Sequence, residues 1–189
     1  MEWIKGSHNT MSYLKPKQWW LRPFAIWGRC QDKTIEEALE SGIRYFDLRV
    51  KFDSSKTALF GHGLITYEYE KSVEEVISWL IEKSVSVGKI YIRILAEKEW
   101  QEKIFKEWLE KNEFAKRFNE ASIDYWFGLK NPWTVLEYNF DKEFVEISKQ
   151  YNVKWHFILP PCKWLAEQDR IRCVVRDCKF NGIVTEDFV

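Results

Sequence analysis

The chain has 189 residues, 46% apolar and 31% charged, which suits one soluble globular domain spanning 1–189. Its formal net charge is zero, so bulk charge favours neither nucleic acid nor strong attraction to an anionic membrane. No apolar run reaches membrane-spanning length and no apolar leader precedes the first motif, so a cytoplasmic or otherwise non-Sec product is expected.

In chain order, short apolar runs at 2–6, 43–50, 59–63, 89–96, 123–127, 134–138, 154–159 and 182–187 read as strands. Amphipathic stretches at 34–41, 73–83, 100–119, 142–151 and 164–178 between them read as helices. TIEEALESG places Thr34 as N-cap with Glu37 three residues on, and SVEEVISWLIEKS repeats the design with Val73, Val76, Ile77 and Leu80 on one face. Strands separated by helices imply βα units and a mostly parallel sheet. About eight strands in a short chain predict an α/β fold, a compact and irregular TIM (β/α)8-type barrel, with an open doubly wound sheet as the alternative. The eleven tryptophans fit a packed core, or a substrate mouth or lipid interface. Cys30, Cys162, Cys173 and Cys178 show neither metal-ligand spacing nor a disulfide framework, so reduced thiols are expected.

Only three histidines occur. His8, in GSHNT, and His62, in FGHGL, each end a short apolar run, and in a parallel barrel the strand C-termini share the face that carries the active site. His156 lies early in its strand and reads as structural. In IRYFDLRV, period-two alternation puts Phe46, Leu48 and Val50 on one face and Tyr45, Asp47 and Arg49 on the other. An inward carboxylate and guanidinium are expensive unless paired, and Arg presents a planar fork suited to phosphate oxygens. In KIYIRILAE the same alternation turns Arg93 inward, either toward an anionic or polyol substrate or into a salt bridge. In GIVTEDFV, Asp187 falls nearest the strand end, either to orient a histidine by accepting its ring N–H or as an ordinary solvated carboxylate.

These motifs, in this order, resemble the X domain of phosphatidylinositol-specific phospholipase C. GSHNT with SYL is similar to its first histidine motif, WGRCQDKTIEEALESGIRYFDLRV to the segment that follows, FGHGL to its second histidine motif and GIVTEDFV to its closing strand. The resemblance implies a phosphodiesterase in which His8 is the general base, His62 the general acid, Arg49 the phosphate-binding group, Asp47 the support of Arg49 and Asp187 the support of His8. It further implies the metal-independent bacterial type without a cofactor, because Arg49 stands where the eukaryotic branch holds calcium. Asn9 departs from the bacterial pattern, which has Asp there supporting the general acid. Asn9, Arg93 and Lys130 are candidate substrate-binding residues, with Asp124 and Trp126 beside Lys130, while Lys163 and Trp164 in PPCKW are expected either to meet a membrane surface or to cap the barrel. The implied partner is a phospholipid or another phosphodiester met in transient membrane-surface contact, with no nucleic acid and a monomeric protein. The competing readings are a metal-dependent glycerophosphodiester phosphodiesterase and a non-catalytic binder of a phosphorylated ligand.

Overall fold

The computed structural model describes residues 4–129, 143–147 and 182–186. Eight strands form one sheet: β1 (Ile4–Ser7), β2 (Tyr45–Phe52), β3 (Ala58–His62), β4 (Ile65–Thr66), β5 (Ile90–Ala96), β6 (Ile123–Leu129), β7 (Glu143–Ile147) and β8 (Gly182–Glu186). Six of them run parallel in the order β6-β5-β2-β1-β8-β7. Among the described residues this sheet is open between β6 and β7. The expected α/β class with a mostly parallel sheet therefore holds. The expected strands at 134–138 and 154–159 and the helix at 164–178 lie outside the described residues.

The α2 helix (Ile35–Glu40) and α3 (Val73–Val87) both begin with complete capping boxes: Thr34 with Glu37, and Ser72 with Glu75. Each box satisfies two backbone N–H groups that a helix start leaves without intrahelical partners. The single helix expected over 100–119 is divided into α4 (Glu102–Lys111) and α5 (Phe114–Glu120), because Glu113 takes a left-handed conformation at φ 50°. Of the helix expected over 142–151, the described residues Glu143–Ile147 form instead the strand β7, paired in parallel with β8. A short run such as EFVEI satisfies either period, and pairing along a neighbouring strand decided it.

Alternation along β2 and β5 sorts the side chains as read from sequence. Phe46, Leu48, Val50, Ile90, Ile92 and Ile94 join one apolar cluster with residues of α2, α3, α4 and α5. In that layer Phe52 meets Trp108 edge-on at 5.7 Å between ring centres, and Trp108 meets Phe114 at 4.9 Å. On the opposite face of the sheet lie Tyr45, Tyr91 and Ile183, together with the buried charges Asp47, Arg49 and Arg93.

One placement differs from the sequence reading. His62 does not end a parallel barrel strand; β3 runs antiparallel to β2, with Val50 opposite Phe60 and Phe52 opposite Ala58. β2 continues past the sheet, and the chain reverses over 53–57. There Asp53 accepts from the backbone N–H of Ser55 at 2.8 Å and of Thr57 at 3.0 Å, and Lys56 adopts φ 60°. The returning strand carries His62 back toward the C-terminal end of the sheet. No helix among the described residues is long and apolar enough to cross a membrane.

Leu48 is fully buried between the sheet and the helical layer. Leu48→Ala is expected to destabilise the fold by about 2–5 kcal/mol, read as a lower urea midpoint with an unchanged slope.

Candidate active site

Arg49 is the centre of a buried polar cluster. Its Nε donates to Asp47 Oδ2 at 3.1 Å, its Nη2 lies 2.5 Å from His8 Nε2, and its Nη1 lies 2.9 Å from His62 Nδ1. Asp47 and Arg49 are separated by one residue on β2 and so share its inner face. One guanidinium thereby bridges two histidines that are 54 positions apart in the chain. Arginine remains protonated in proteins, so His8 Nε2 faces it with a lone pair; at His62 Nδ1 the donor and acceptor roles follow the ring tautomer.

Asp47 is held from several sides. Besides Arg49, its Oδ2 accepts the backbone N–H of Asn9 at 3.0 Å, and its Oδ1 lies 3.6 Å from Arg93 Nη1. Register sets Arg93 on β5 directly beside Asp47, and Trp126 on β6 beside Arg93. The Arg93 guanidinium sits over the Trp126 ring at 5.4 Å. At 2% exposure Arg93 is a support beneath the site rather than a group at its mouth. Burial alone would raise the Asp47 carboxyl, but the charges of Arg49 and Arg93, the His8 ring once protonated and the Asn9 N–H outweigh it and hold the group well below the usual carboxylate range.

The first histidine loop is fastened from behind. Gln31 Nε2 donates to the His8 carbonyl at 2.8 Å, and the Cys30 N–H donates to Ser12 Oγ at 2.9 Å. The Cys-Gln pair noted in the sequence thus braces GSHNT from the segment leading into α2. Cys30 is buried, and its Sγ donates to the Gly28 carbonyl at 3.6 Å. Asn9 adopts φ 45° and ψ 55°, a left-handed conformation in which Asn is among the more tolerant residues. Its carboxamide is turned to Cys30 Sγ at 3.8 Å, while His62 Nδ1 is turned to Arg49 and to Glu97.

The second histidine is positioned by its turn. Gly61 leaves room for the Ile65 carbonyl, which a Cβ at that position would approach to 2.7 Å; Gly63 takes φ 57°. Lys51 on β2 reaches under this turn and donates to the carbonyls of Gly63 at 2.5 Å and Ile65 at 2.8 Å. Glu97, directly after β5, approaches His62 Nδ1 with Oε1 at 3.1 Å and accepts the Gly63 N–H on Oε2 at 3.2 Å. The same Oε1 lies 3.5 Å from Arg49 Nη1. Two buried carboxylates, Asp47 and Glu97, therefore face the two buried guanidiniums of Arg49 and Arg93.

The sequence reading singled out His8, Asp47, Arg49, His62 and Asn9, and the fold brings these five together. It passed over Glu97 and Lys51. Both carried a signal: Glu97 continues the inward parity of Tyr91, Arg93 and Leu95, and Lys51 continues that of Asp47 and Arg49. The β1–β8 register ends with Ser7 opposite Glu186, one residue short of both His8 and Asp187. Asp187, Lys130, His156, Lys163 and Trp164 lie outside the described residues. Among the described residues no group of three or more His, Cys, Asp or Glu side chains is arranged to hold a metal ion.

No family model and no curated protein matches the sequence. Solved structures do. The phosphatidylinositol-specific phospholipase C of Listeria monocytogenes superposes with a TM-score of 0.59 at 16% identity, covering 98% of this chain and 87% of that one. Two variants of the Staphylococcus aureus phosphatidylinositol-specific phospholipase C match with TM-scores of 0.48 and 0.49 at 17% and 19% identity, over 67% and 66% of this chain. The matched region spans about half the length of those Staphylococcus chains, 47% and 46%. At these identities the Listeria superposition establishes a fold: the chain shares the α/β, TIM-type architecture of bacterial phosphatidylinositol-specific phospholipase C.

The depressed Asp47 carboxyl has a defined effect on stability. Its stabilisation is complete above the unfolded-chain pKa of about 4 and is lost as pH falls through the lower folded value. Asp47→Asn leaves two buried guanidiniums facing one carboxylate fewer, and is expected to cost about 3–5 kcal/mol at pH 7. Urea unfolding across pH should show this gap constant from neutrality to about pH 5 and narrowing only below about pH 4.

Proposed function

We propose that this chain is a phosphodiesterase that cleaves phosphatidylinositol, or a closely related phosphodiester, to diacylglycerol and a cyclic inositol phosphate. The observation that carries the reading is the single Arg49 guanidinium held between two histidines. It combines a fixed positive fork with two proton-transfer groups, which is what an in-line displacement at phosphorus requires. The shared fold supports the same reading.

In this mechanism the substrate phosphate takes the Arg49 Nη1 and Nη2 donors in place of the ring nitrogens. His8 Nε2 removes the proton from the inositol hydroxyl next to the phosphodiester. The resulting oxygen forms a bond to phosphorus as the bond to the diacylglycerol oxygen breaks, and His62 Nε2 delivers a proton to that leaving oxygen. Charge building on the non-bridging oxygens is met by Arg49, kept in place by Asp47, with Arg93 as the brace of Asp47. Slow hydrolysis of the cyclic ester uses the same pair with roles exchanged, His62 drawing a proton from water. Because Arg49 supplies the positive charge at the phosphate, the reaction is metal-independent. Asp187 as the partner of His8, and Lys130 as a contact to inositol, remain part of the proposal from sequence.

A lipid substrate is supported by the surface around the site. Trp19, Trp20, Phe24 and Ile26 are exposed on a short helical segment (Trp19–Phe24) and on α1 (Ala25–Gly28), and Leu64, two residues after His62, is 76% exposed. Gln18 joins the two, donating to the Leu64 carbonyl at 3.3 Å and accepting the Thr66 N–H at 3.1 Å. Apolar rings with polar N–H groups beside the general acid suit the boundary between lipid headgroups and acyl chains.

Release of cyclic inositol phosphate from phosphatidylinositol vesicles is expected to persist in EDTA and to fall by at least ~10²-fold in His8→Ala and in His62→Ala. Folded wild-type protein that releases none overturns the reading. Trp19→Ala combined with Trp20→Ala is expected to lower turnover on vesicles several-fold while leaving a soluble, short-chain substrate unaffected; equal losses on both remove the lipid-surface role.

A further inference from the structure

His62 presents one nitrogen to two groups of opposite kind. Nδ1 lies 2.9 Å from Arg49 Nη1, a permanent donor, and 3.1 Å from Glu97 Oε1, an acceptor. A bare Nδ1 satisfies Arg49; a protonated Nδ1 satisfies Glu97. Only the second arrangement leaves Nε2 as the atom that exchanges a proton with the reacting oxygen. We infer that Glu97 is the positioning residue of His62, selecting the Nδ1–H form and supporting the imidazolium once phosphate has drawn Arg49 away.

This inference rests on the reading of His62 as general acid. Three features give Glu97 this role. Its side chain is 3% exposed and follows β5 directly, so its backbone is fixed by the sheet. Its second oxygen accepts the Gly63 N–H, which ties the turn beyond His62 to the same carboxylate. The Asn9 carboxamide, at the position next to the first histidine, is directed to Cys30 and carries no charge to support an imidazolium. A carboxylate on the far ring nitrogen of a histidine fixes the tautomer and favours the protonated ring.

Among the described residues, other charged and titratable groups also face His62 or its partners. Arg49 on β2 opposes protonation of the ring, Lys51 on β2 is bound to the carbonyl of Gly63, and Asp47 and His8 lie on the far side of Arg49. Tyr67, after β4, senses both Arg49 and Glu97, but burial raises its hydroxyl beyond the range in which histidine titrates. Among these groups, removing the Glu97 charge leaves Arg49 facing the ring nitrogen, which lowers the proton affinity of the ring.

The test compares wild type with Glu97→Gln on two inositol phosphodiesters. One is phosphatidylinositol in detergent micelles, whose alkoxide leaving group needs a proton. The other is an inositol 4-nitrophenyl phosphodiester, whose leaving group does not. Turnover of the first is expected to fall by about 10²-fold and of the second by only a few-fold. The alkaline limb of the kcat/KM profile for the first should move to lower pH by about one unit. Equal losses on both substrates with an unmoved limb, or no loss on either, overturn the inference while leaving the phosphodiesterase reading intact. Nitrogen-15 spectra of wild-type His62 near pH 8 decide the matter independently of activity and of the variant's folding. An Nδ1–H tautomer, lost in Glu97→Gln where that variant folds, supports the role; an Nε2–H tautomer in the wild type overturns it. If wild type cleaves neither substrate, the functional reading fails and the tautomer still decides whether Glu97 positions His62.

Discussion

A positive charge confined on the inner face of a parallel sheet is the constraint around which the site is arranged. Arg49 is too deeply buried to be left to water, and a guanidinium there is tolerated only because carboxylates reach it. Asp47, two residues away on the same face of β2, takes Nε at 3.1 Å and leaves both terminal nitrogens facing the histidines. Asp47 in turn is held by Arg93 from the neighbouring strand and by the Asn9 backbone from the first histidine loop. The pairing is thus electrostatic support and spatial alignment together: whatever moves Asp47 moves the Arg49 guanidinium and the loop of His8.

The two histidines reach Arg49 by different structural routes. His8 follows directly on β1, a parallel strand, and its loop is braced by Gln31 and by the left-handed Asn9. His62 arrives on the return arm of a hairpin, because β2 overruns the sheet and is folded back by the Asp53 turn. On its outer side this arm meets only the two-residue strand β4, and Lys51, Glu97 and the close Gly61–Ile65 approach fix the turn between the two strands. The hairpin also exposes Leu64, two residues after His62, and Gln18, next to the exposed Trp19, donates to the Leu64 carbonyl.

Much of this was legible in the chain. Period-two alternation in IRYFDLRV and KIYIRILAE sorted inward charges from outward aliphatics correctly, since a strand in a sheet has no other way to point its side chains. The two capping boxes followed from residue type alone, because N-cap and N3 are local partners. Glu97 was less visible. A carboxylate just after an apolar strand resembles any solvated loop residue until the strand's parity is carried one step further.

What sequence alone determined is therefore whatever depends on neighbours in the chain: strand faces, helix starts, and the presence of His8, Asp47, Arg49 and His62 near strand ends. What only the tertiary structure decided depends on pairing between distant segments. It made 143–147 a strand beside β8, reversed β3 against β2, and gave Asn9 to Cys30 while giving His62 to Glu97. Local periodicity is compatible with both strand directions and with several partners. The choice is made by backbone hydrogen bonding across the sheet and by the need of each buried charge for an opposite one, and neither is written in adjacent residues.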